Sequence, residues 1–215
     1  MLYIIRHGQT QLNKAQVLQG RSDHPLNEEG LKQAAEAGAW FREQGIVIDH
    51  VYSSPLIRAV QTARLAVGTE PAGQTEYSDP VFSDIHSEPP EKQIGITIDD
   101  RLIEMDYGPY EGSDLTSPAP EILAFFQDFT NHPAPDGMEQ LSSVVGRLGE
   151  LLEEIREEAA QSNVLLSTHA IAMKGALEYL TPDSKGSYWS KYIGNCAVYQ
   201  ADVSNGTYET PVQIR

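Results

Sequence analysis

Residues 2–10 read LYIIRHGQT, and the fold turns on how this stretch is understood. An unbroken β-favouring apolar run, Leu2-Tyr3-Ile4-Ile5, reads as a strand buried in a sheet. It ends on a cation, an imidazole and a glycine. In an open α/β sheet, ligands bind beyond the carboxyl ends of the strands. Arg6 and His7 therefore stand where a ligand would be held. A guanidinium next to an imidazole makes protonating that imidazole costlier. A structural histidine gains nothing from that neighbour, whereas a nucleophile meant for an anion does.

Two further segments have the same form. Residues 47–53 read as a strand that runs into Ser53-Ser54 ahead of Arg58, and NVLLST at 163–168 reads as a strand that runs into His169. Helical patterns separate the strands. Asn27 is expected to cap a helix carrying Glu28 and Glu29 in its first turn, which Gly45 stops. Ser54-Pro55 is expected to open a helix reaching Val67. Leu141, Val145, Leu148, Leu152, Ile155 and Ala159 recur at helical spacing and predict one long helix, with Asp136 as its cap. Residues 170–180 predict another, and residues 121–129 a short one. A short strand is expected at 94–98, and Asn205-Gly206 marks a hairpin between two strand-like runs near the end of the chain. Strands alternating with helices imply an α/β fold with a mostly parallel sheet, mixed because the last hairpin is antiparallel.

The totals fit this picture. The chain has 215 residues, 40% of them hydrophobic, which suits one domain with a sizeable core. Two irregular stretches, 69–100 and 113–137, are expected to be insertions that form a lid over the site. The net charge is −16, from 31 acidic residues against 15 Lys plus Arg. Such a surface repels nucleic acid and anionic membrane, so neither is an expected partner. A single cysteine, Cys196, excludes an internal disulfide and fits a reducing compartment. The residues before Arg6 are too few for a signal sequence, and no run approaches membrane-spanning length. The expectation is a cytoplasmic protein, monomeric or homodimeric. No spacing of ligands calls for a metal, and no cofactor is expected.

If the three strands are parallel, Arg6, His7, Arg58 and His169 meet at one edge. Two guanidiniums and two imidazoles on an otherwise acidic protein suit a phosphate-like dianion, because Arg donates in pairs to its oxygens. Helix N-termini after Ser54 and after His169 are expected to add backbone N–H donors. Taken singly, each of these residues has a bland explanation as a surface charge or a satisfied structural histidine. Their placement at three strand ends does not.

At this point the chain resembles a known family. Arg6-His7-Gly8-Gln9-Thr10 is similar to the RHGxT signature of the histidine phosphatase superfamily, the group that includes cofactor-dependent phosphoglycerate mutases. Residues 19–30, the stretch from Ser53-Ser54-Pro55 through Arg58 to Gln61-Thr62-Ala63, Leu102-Ile103-Glu104 with Gly108 and Glu111-Gly112, and Thr168-His169-Ala170 resemble its later motifs in order. The resemblance implies a three-layer α/β/α sandwich. It implies His7 as nucleophile through a phosphohistidine, and Arg6, Arg58 and His169 as holders of the phosphoryl oxygens. Glu104 becomes the general acid and base, although Asp106 lies two residues away and chemistry alone does not choose between them. Asn13, Thr10, Gln19, Gly20, Arg21 and Ala170 match positions lining the phosphate site. Ala170 stands where the family often has Gly, which is harmless if it opens a helix.

Within this family the chain could be a mutase or a phosphatase. From Met105 to Gly146 there is no Lys or Arg. Phosphoglycerate mutases resembling this chain carry basic residues there to hold a bisphosphorylated intermediate, so water is expected to win here. The region instead offers Tyr107, Tyr110, Phe125, Phe126 and Phe129, of which the three phenylalanines fit a core better than a substrate contact. The expectation is a phosphomonoesterase for a small phosphorylated metabolite, with an uncharged or aromatic leaving group, or a sugar phosphate held by Lys14 and Arg21. A mutase is the runner-up. A non-catalytic phospho-ligand binder ranks below both, because His7 and Glu104 are both present.

Overall fold

The structure is a computed structural model that describes residues 1–68 and 94–215. The lid expected at 69–100 falls mostly outside the described residues. Among those residues, β1 (Leu2–Arg6), β2 (His50–Ser53), β3 (Ile96–Ile98), β4 (Val164–Thr168), β5 (Val198–Ala201) and β8 (Val212–Gln213) form a six-stranded sheet in the order β3-β2-β4-β1-β5-β8. The first four are parallel to one another, and β5 runs against both β1 and β8. This is the mixed, mostly parallel α/β sheet that the sequence predicts.

The side-chain period of two divides β1 and β4 between two cores. Leu2, Ile4, Val164 and Leu166 face one core, shared with helices α5 (Leu141–Glu154) and α7 (Ala170–Leu180). Tyr3, Ile5 and Leu165 face the other, shared with α2 (Glu28–Glu43) and α3 (Ile57–Val67). Both faces are thus covered, which is why these strands read as continuous apolar runs.

Several local details differ from expectation. A short helix, α1 (Gln11–Lys14), interrupts the first loop, with Thr10 and Asn13 in a reciprocal capping box. Asn27 caps α2 as expected, its side chain accepting from the Gly30 N–H. Ser54 does not cap α3. Leu56 holds that position without a side-chain bond, and the Ser54 hydroxyl accepts from the Leu56 N–H and from His169 instead of from the first turn. Asp136 does not cap α5, whose N-cap is Gln140. The long helix divides at Ile155 into α5 and α6 (Arg156–Gln161), yet the Ile155→Leu151 and Ala159→Ile155 bonds persist, so the break amounts to one residue. In the 113–137 segment, α4 (Pro120–Gln127) buries Ile122 and Phe125, while Phe126 and Phe129 pack half-buried against the same core. The Asn205-Gly206 turn has positive φ at both residues and joins a small separate hairpin, β6 (Val203–Ser204) and β7 (Thr207–Tyr208). No helix among the described residues is long and apolar enough to cross a membrane.

Gly8 stands at a close crossing of two backbone segments. A Cβ on Gly8 would lie 2.4 Å from the Gly30 carbonyl oxygen, and one on Gly30 would lie 2.0 Å from that of Gln9. The chain leaving β1 crosses the first turn of α2 backbone to backbone, with no room for a side chain at either glycine.

Candidate active site

β1, β2 and β4 end in register, with Arg6 opposite Thr168 and Ser53 opposite Ser167. His7, Ser54 and His169 therefore emerge together at one sheet edge. His7 is 4% exposed. Its Nδ1 lies 2.7 Å from the Gly8 carbonyl oxygen, which can only accept, so Nδ1 carries the proton and Nε2 keeps the lone pair. Its backbone is pinned at both ends. The His7 N–H donates to the Thr168 carbonyl at 2.9 Å, and Asn195 Nδ2 donates to the His7 carbonyl at 3.0 Å. Burial pushes His7 well below the ordinary histidine range, and Arg58 and then Arg6 push it further, against the Gly8 bond. Burial contributes more than either guanidinium, and Arg58 more than Arg6.

Arg58 is fully buried and organises its surroundings. Its Nε donates to His169 Nδ1 at 3.2 Å, so the His169 proton sits on Nε2, which donates to Ser54 Oγ at 2.7 Å. The Nη atoms donate to the carbonyls of Ser22 (2.8 Å) and Gly20 (2.6 Å). Three of its five N–H donors are thus used, leaving two. His169 is also held well below the ordinary histidine range, by burial first and then by Arg58 and His7. The two imidazoles lie 5.1 Å apart at 60°.

Glu111 holds the 20–22 loop. Its carboxylate accepts from the Gly20 N–H (2.9 and 3.0 Å) and from both the N–H and the hydroxyl of Ser22. Gly20 therefore has both backbone groups engaged and does not offer a donor to a ligand. Arg21 is likewise occupied, by Asp106 at 3.1 Å and Glu139 at 3.3 Å. Of these two expected ligand residues, Gly20 is engaged at both backbone groups, and Arg21 uses three of its five N–H donors. Asn13 spends its side-chain oxygen on the Thr10 N–H.

Besides the two spare Arg58 donors, three donors near His7 have no partner among the described residues. Arg6 Nε and Gln19 Nε2 are buried and unpaired. The Ala170 N–H, first in α7, has no acceptor either. Arg6 is fixed through Nη1 to the Ile193 carbonyl, and Gln19 Oε1 accepts from Thr10 Oγ1 at 2.7 Å. All three lie on segments that bracket His7. Buried donors without acceptors are costly, and a ligand offering several oxygens would satisfy them.

Glu104 is 3% exposed. Its Oε1 accepts from the N–H groups of Met105 (2.8 Å) and Ala172 (3.0 Å), and its Oε2 from that of Ile171 (3.2 Å). The carboxylate thus caps α7, which gains no cap from the His169 side chain. At the start of α3 the donors are also taken, the Leu56 N–H by Ser54 Oγ and the Ile57 N–H by Asp23. The two helix N-termini therefore supply fewer free donors than the sequence suggested. Two bonds place the Glu104 loop. Thr168 Oγ1 donates to the Leu102 carbonyl at 2.7 Å, and Arg147 Nη1 donates to the carbonyls of Arg101 and Ile103 at 2.6 Å each. Burial lowers Arg6 and Arg58 from the ordinary guanidinium range, and Glu104 is the main charge opposing it in both. Tyr107 is buried beside Glu104, Glu111, Arg6 and Arg58, and burial pushes its hydroxyl well above the ordinary range. Asp106, the rival acid, bonds the Gly108 N–H and pairs with Arg21 instead.

Sequence reasoning missed Ser54, Asn195 and the clamping role of Arg147. Ser54 is the one with a usable signal, since it sits at a strand end within a quoted motif.

The histidine phosphatase superfamily (branch 1) model matches residues 2–79 and 88–212. The chain belongs to this superfamily. A protein of Yersinia pestis described as a probable phosphoglycerate mutase is 29% identical over 205 residues, covering 94% of this chain and 84% of the relative. The solved structure of Bacillus stearothermophilus YhfR is 25% identical, with a TM-score of 0.75 over 97% of this chain and 94% of that one. A mycobacterial glucosyl-3-phosphoglycerate phosphatase has the same fold at 23% identity, with a TM-score of 0.74 over 97% and 95% of the two chains.

Proposed function

We propose that this protein is a metal-independent phosphomonoester hydrolase that acts through a phosphohistidine on His7. One observation carries the reading: a neutral His7 with its Nε2 lone pair free, beside buried donors on Arg6 and Gln19 that have no partner among the described residues. A phosphoryl group supplies the missing acceptors and the electrophile at once.

In the first step His7 Nε2 attacks phosphorus, an N–P bond forms and the bond to the leaving oxygen breaks. The charge on the three equatorial oxygens is met by Arg6, by the two unused Arg58 donors, by Gln19 and by the Ala170 N–H. His7 becomes positive as it bonds phosphorus, and its Nδ1–H bond to the Gly8 carbonyl offsets that charge. The phosphomonoester monoanion brings a proton that Glu104 relays to the leaving oxygen; Glu104 then takes one from the water that attacks phosphorus and breaks the N–P bond, and gives it up with the departing phosphate. The product is inorganic phosphate, and His7 returns to its neutral state.

A mutase would require the first product to stay and be rephosphorylated. The similarity to the Yersinia protein supports that second reading. Against it, no cation lies between Met105 and Gly146, and the next one, Arg147, is tied to Glu139 at 2.9 Å. The test is hydrolysis of p-nitrophenyl phosphate in the presence of chelator, with His7→Ala as control. Hydrolysis that survives chelation and falls by at least ~10³-fold in the variant supports the reading. Activity lost to chelator, or kept by His7→Ala, sinks it. Interconversion of phosphoglycerates that depends on a bisphosphoglycerate primer and outpaces hydrolysis would favour the mutase.

A further inference from the structure

We propose that Glu139 and Arg147, with Arg21 on their outer side, form a charged clamp that positions Glu104 as the proton donor to the leaving oxygen. This rests on the phosphomonoesterase reading above and assigns positioning residues to its acid step.

Glu104 follows a single 3-10 turn, Asp100–Leu102, and lies in irregular chain. Four successive carbonyls of this segment each accept from a side chain. Arg147 Nη1 donates to those of Arg101 and Ile103 at 2.6 Å each, Thr168 Oγ1 to that of Leu102 at 2.7 Å, and Arg21 Nε to that of Glu104 at 3.4 Å. Glu139 then joins the two guanidiniums. Its Oε1 accepts from Arg147 Nε at 2.9 Å, and its Oε2 from Arg147 Nη2 at 3.2 Å and Arg21 Nη2 at 3.3 Å. The same Oε2 accepts from the Asp106 N–H at 3.2 Å, and the Glu139 N–H donates back to the Asp106 carbonyl at 2.8 Å. The chain is thus gripped from 101 to 104 and again at 106, so both flanks of the Glu104 side chain are held.

Arg147 and Glu139 keep only 15% and 12% of their side-chain surface exposed, so theirs is not a surface pair of the kind that contributes little. Arg21 is 43% exposed and adds less. Arg147 uses four of its five N–H donors, two on the Glu139 carboxylate and two on carbonyls, and only a planar fork can do both. Glu139 orients that fork, and removing its charge would leave a largely buried guanidinium without its counter-ion. The Glu104 carboxylate is held in turn by the Ile171 and Ala172 N–H groups. A general acid has to stand within about 2.6–3.2 Å of the atom it protonates. A misplacement of about 1 Å can cost about 10²-fold in rate. Slack in the 101–106 segment would therefore appear in the proton-transfer step before it appeared elsewhere.

The probes are phenyl phosphate and 2,4-dinitrophenyl phosphate. Phenolate needs a proton as it leaves, whereas dinitrophenolate leaves without one. The readout is the ratio of kcat/KM for the phenyl ester to that for the dinitrophenyl ester. It covers only the steps up to the phosphohistidine, and losses of active protein cancel in it. Glu104→Gln should lower the ratio most. Glu139→Gln and Arg147→Lys should each lower it by ~10-fold, as losing a charge-assisted hydrogen bond would, and the charge kept by lysine should not rescue it. The double variant should lose little more than either single variant, because the two residues act as one unit. Equal losses on both esters in Glu139→Gln and Arg147→Lys would mean structural support alone and overturn the clamp, leaving the hydrolase reading intact. Losses that multiply in the double variant would mean two independent contacts and overturn it as well. A ratio that Glu104→Gln leaves unchanged would remove Glu104 as the proton donor and the clamp with it. If neither ester is hydrolysed, the hydrolase reading fails and amide hydrogen exchange decides the clamp. Faster exchange at Ile171 and Ala172 in Glu139→Gln, with Ala176 further along α7 unchanged, supports it, and unchanged exchange at both overturns it.

Discussion

Arg58 Nε donates to His169 Nδ1 at 3.2 Å, and this one bond sets which nitrogen of His169 carries the proton. The same guanidinium holds two carbonyls of the 20–22 loop and is the strongest charge acting on His7. Arg58 thus ties the second imidazole, the loop after Gln19 and the electrostatics of the nucleophile into one unit. Lysine cannot reproduce the fork. Arg58→Lys should lower kcat/KM by ~10²–10³-fold with the fold retained, as losing a donor to developing negative charge does elsewhere. Steady-state kinetics alongside circular dichroism check this.

Glu111 acts at one remove. It does not reach the reacting atoms, but it holds the loop whose carbonyls Arg58 grips. As a positioning residue it should show a graded response. Glu111→Gln, which keeps one acceptor, should lose roughly 10-fold in kcat/KM, and Glu111→Ala more, because the Gly20 and Ser22 N–H groups are left unpaired. A purely structural role would instead lower the amount of folded protein and leave the kcat of the remainder unchanged.

The Gly8–Gly30 crossing makes a stability prediction. A Cβ at 2.4 Å from a backbone oxygen cannot be absorbed by moving a side chain. Gly8→Ala should cost ~1–3 kcal/mol or more, as overpacking does. For a chain of this size each kcal/mol lowers Tm by about 2–4 °C. Gly146→Ala, where nothing lies within 4 Å, is the control and should leave Tm unchanged or raise it. Differential scanning calorimetry separates the two.

The two histidines set the behaviour in acid. Both are held neutral in the folded protein, well below the ordinary value of 6.5. The unfolded chain binds protons to them first, so stability is unaffected well above 6.5 and is lost as pH falls below it, with both groups contributing. Urea midpoints should be level from pH 8 down to 7 and then decline as the pH falls further. In the same window His7 stays neutral, so the acid limb of kcat/KM should lie well below pH 6.5. A limb at an ordinary histidine value would mean the nucleophile is not depressed.

Much of this arrangement was legible in the sequence because it depends on local signals. The apolar runs of β1 and β4 announced strands buried on both faces, and Asn27 with its two glutamates announced α2. The positions of Arg6, His7, Arg58 and His169 followed from where those runs stop. What the sequence hid is non-local. Nothing near Asp136 shows that Gln140 caps α5, and nothing near Glu104 shows that its carboxylate closes the first turn of α7. Ser54 looked like a helix cap, but its hydroxyl accepts from His169, which is more than a hundred residues away. Gln19, Gly20 and Arg21 looked equivalent in a row. Their partners separate them: Arg21 meets two carboxylates, Gly20 meets Glu111 and Arg58, and the Gln19 amide nitrogen has no partner among the described residues.

The most direct test of the phosphohistidine is to stop turnover rapidly and weigh the protein. Wild-type enzyme quenched in base during p-nitrophenyl phosphate turnover should carry one phosphoryl group, lost on mild acid treatment, and peptide mapping should place it on His7. A protein that turns over without ever carrying that group, or that carries it on a residue other than His7, would show that His7 is not the nucleophile.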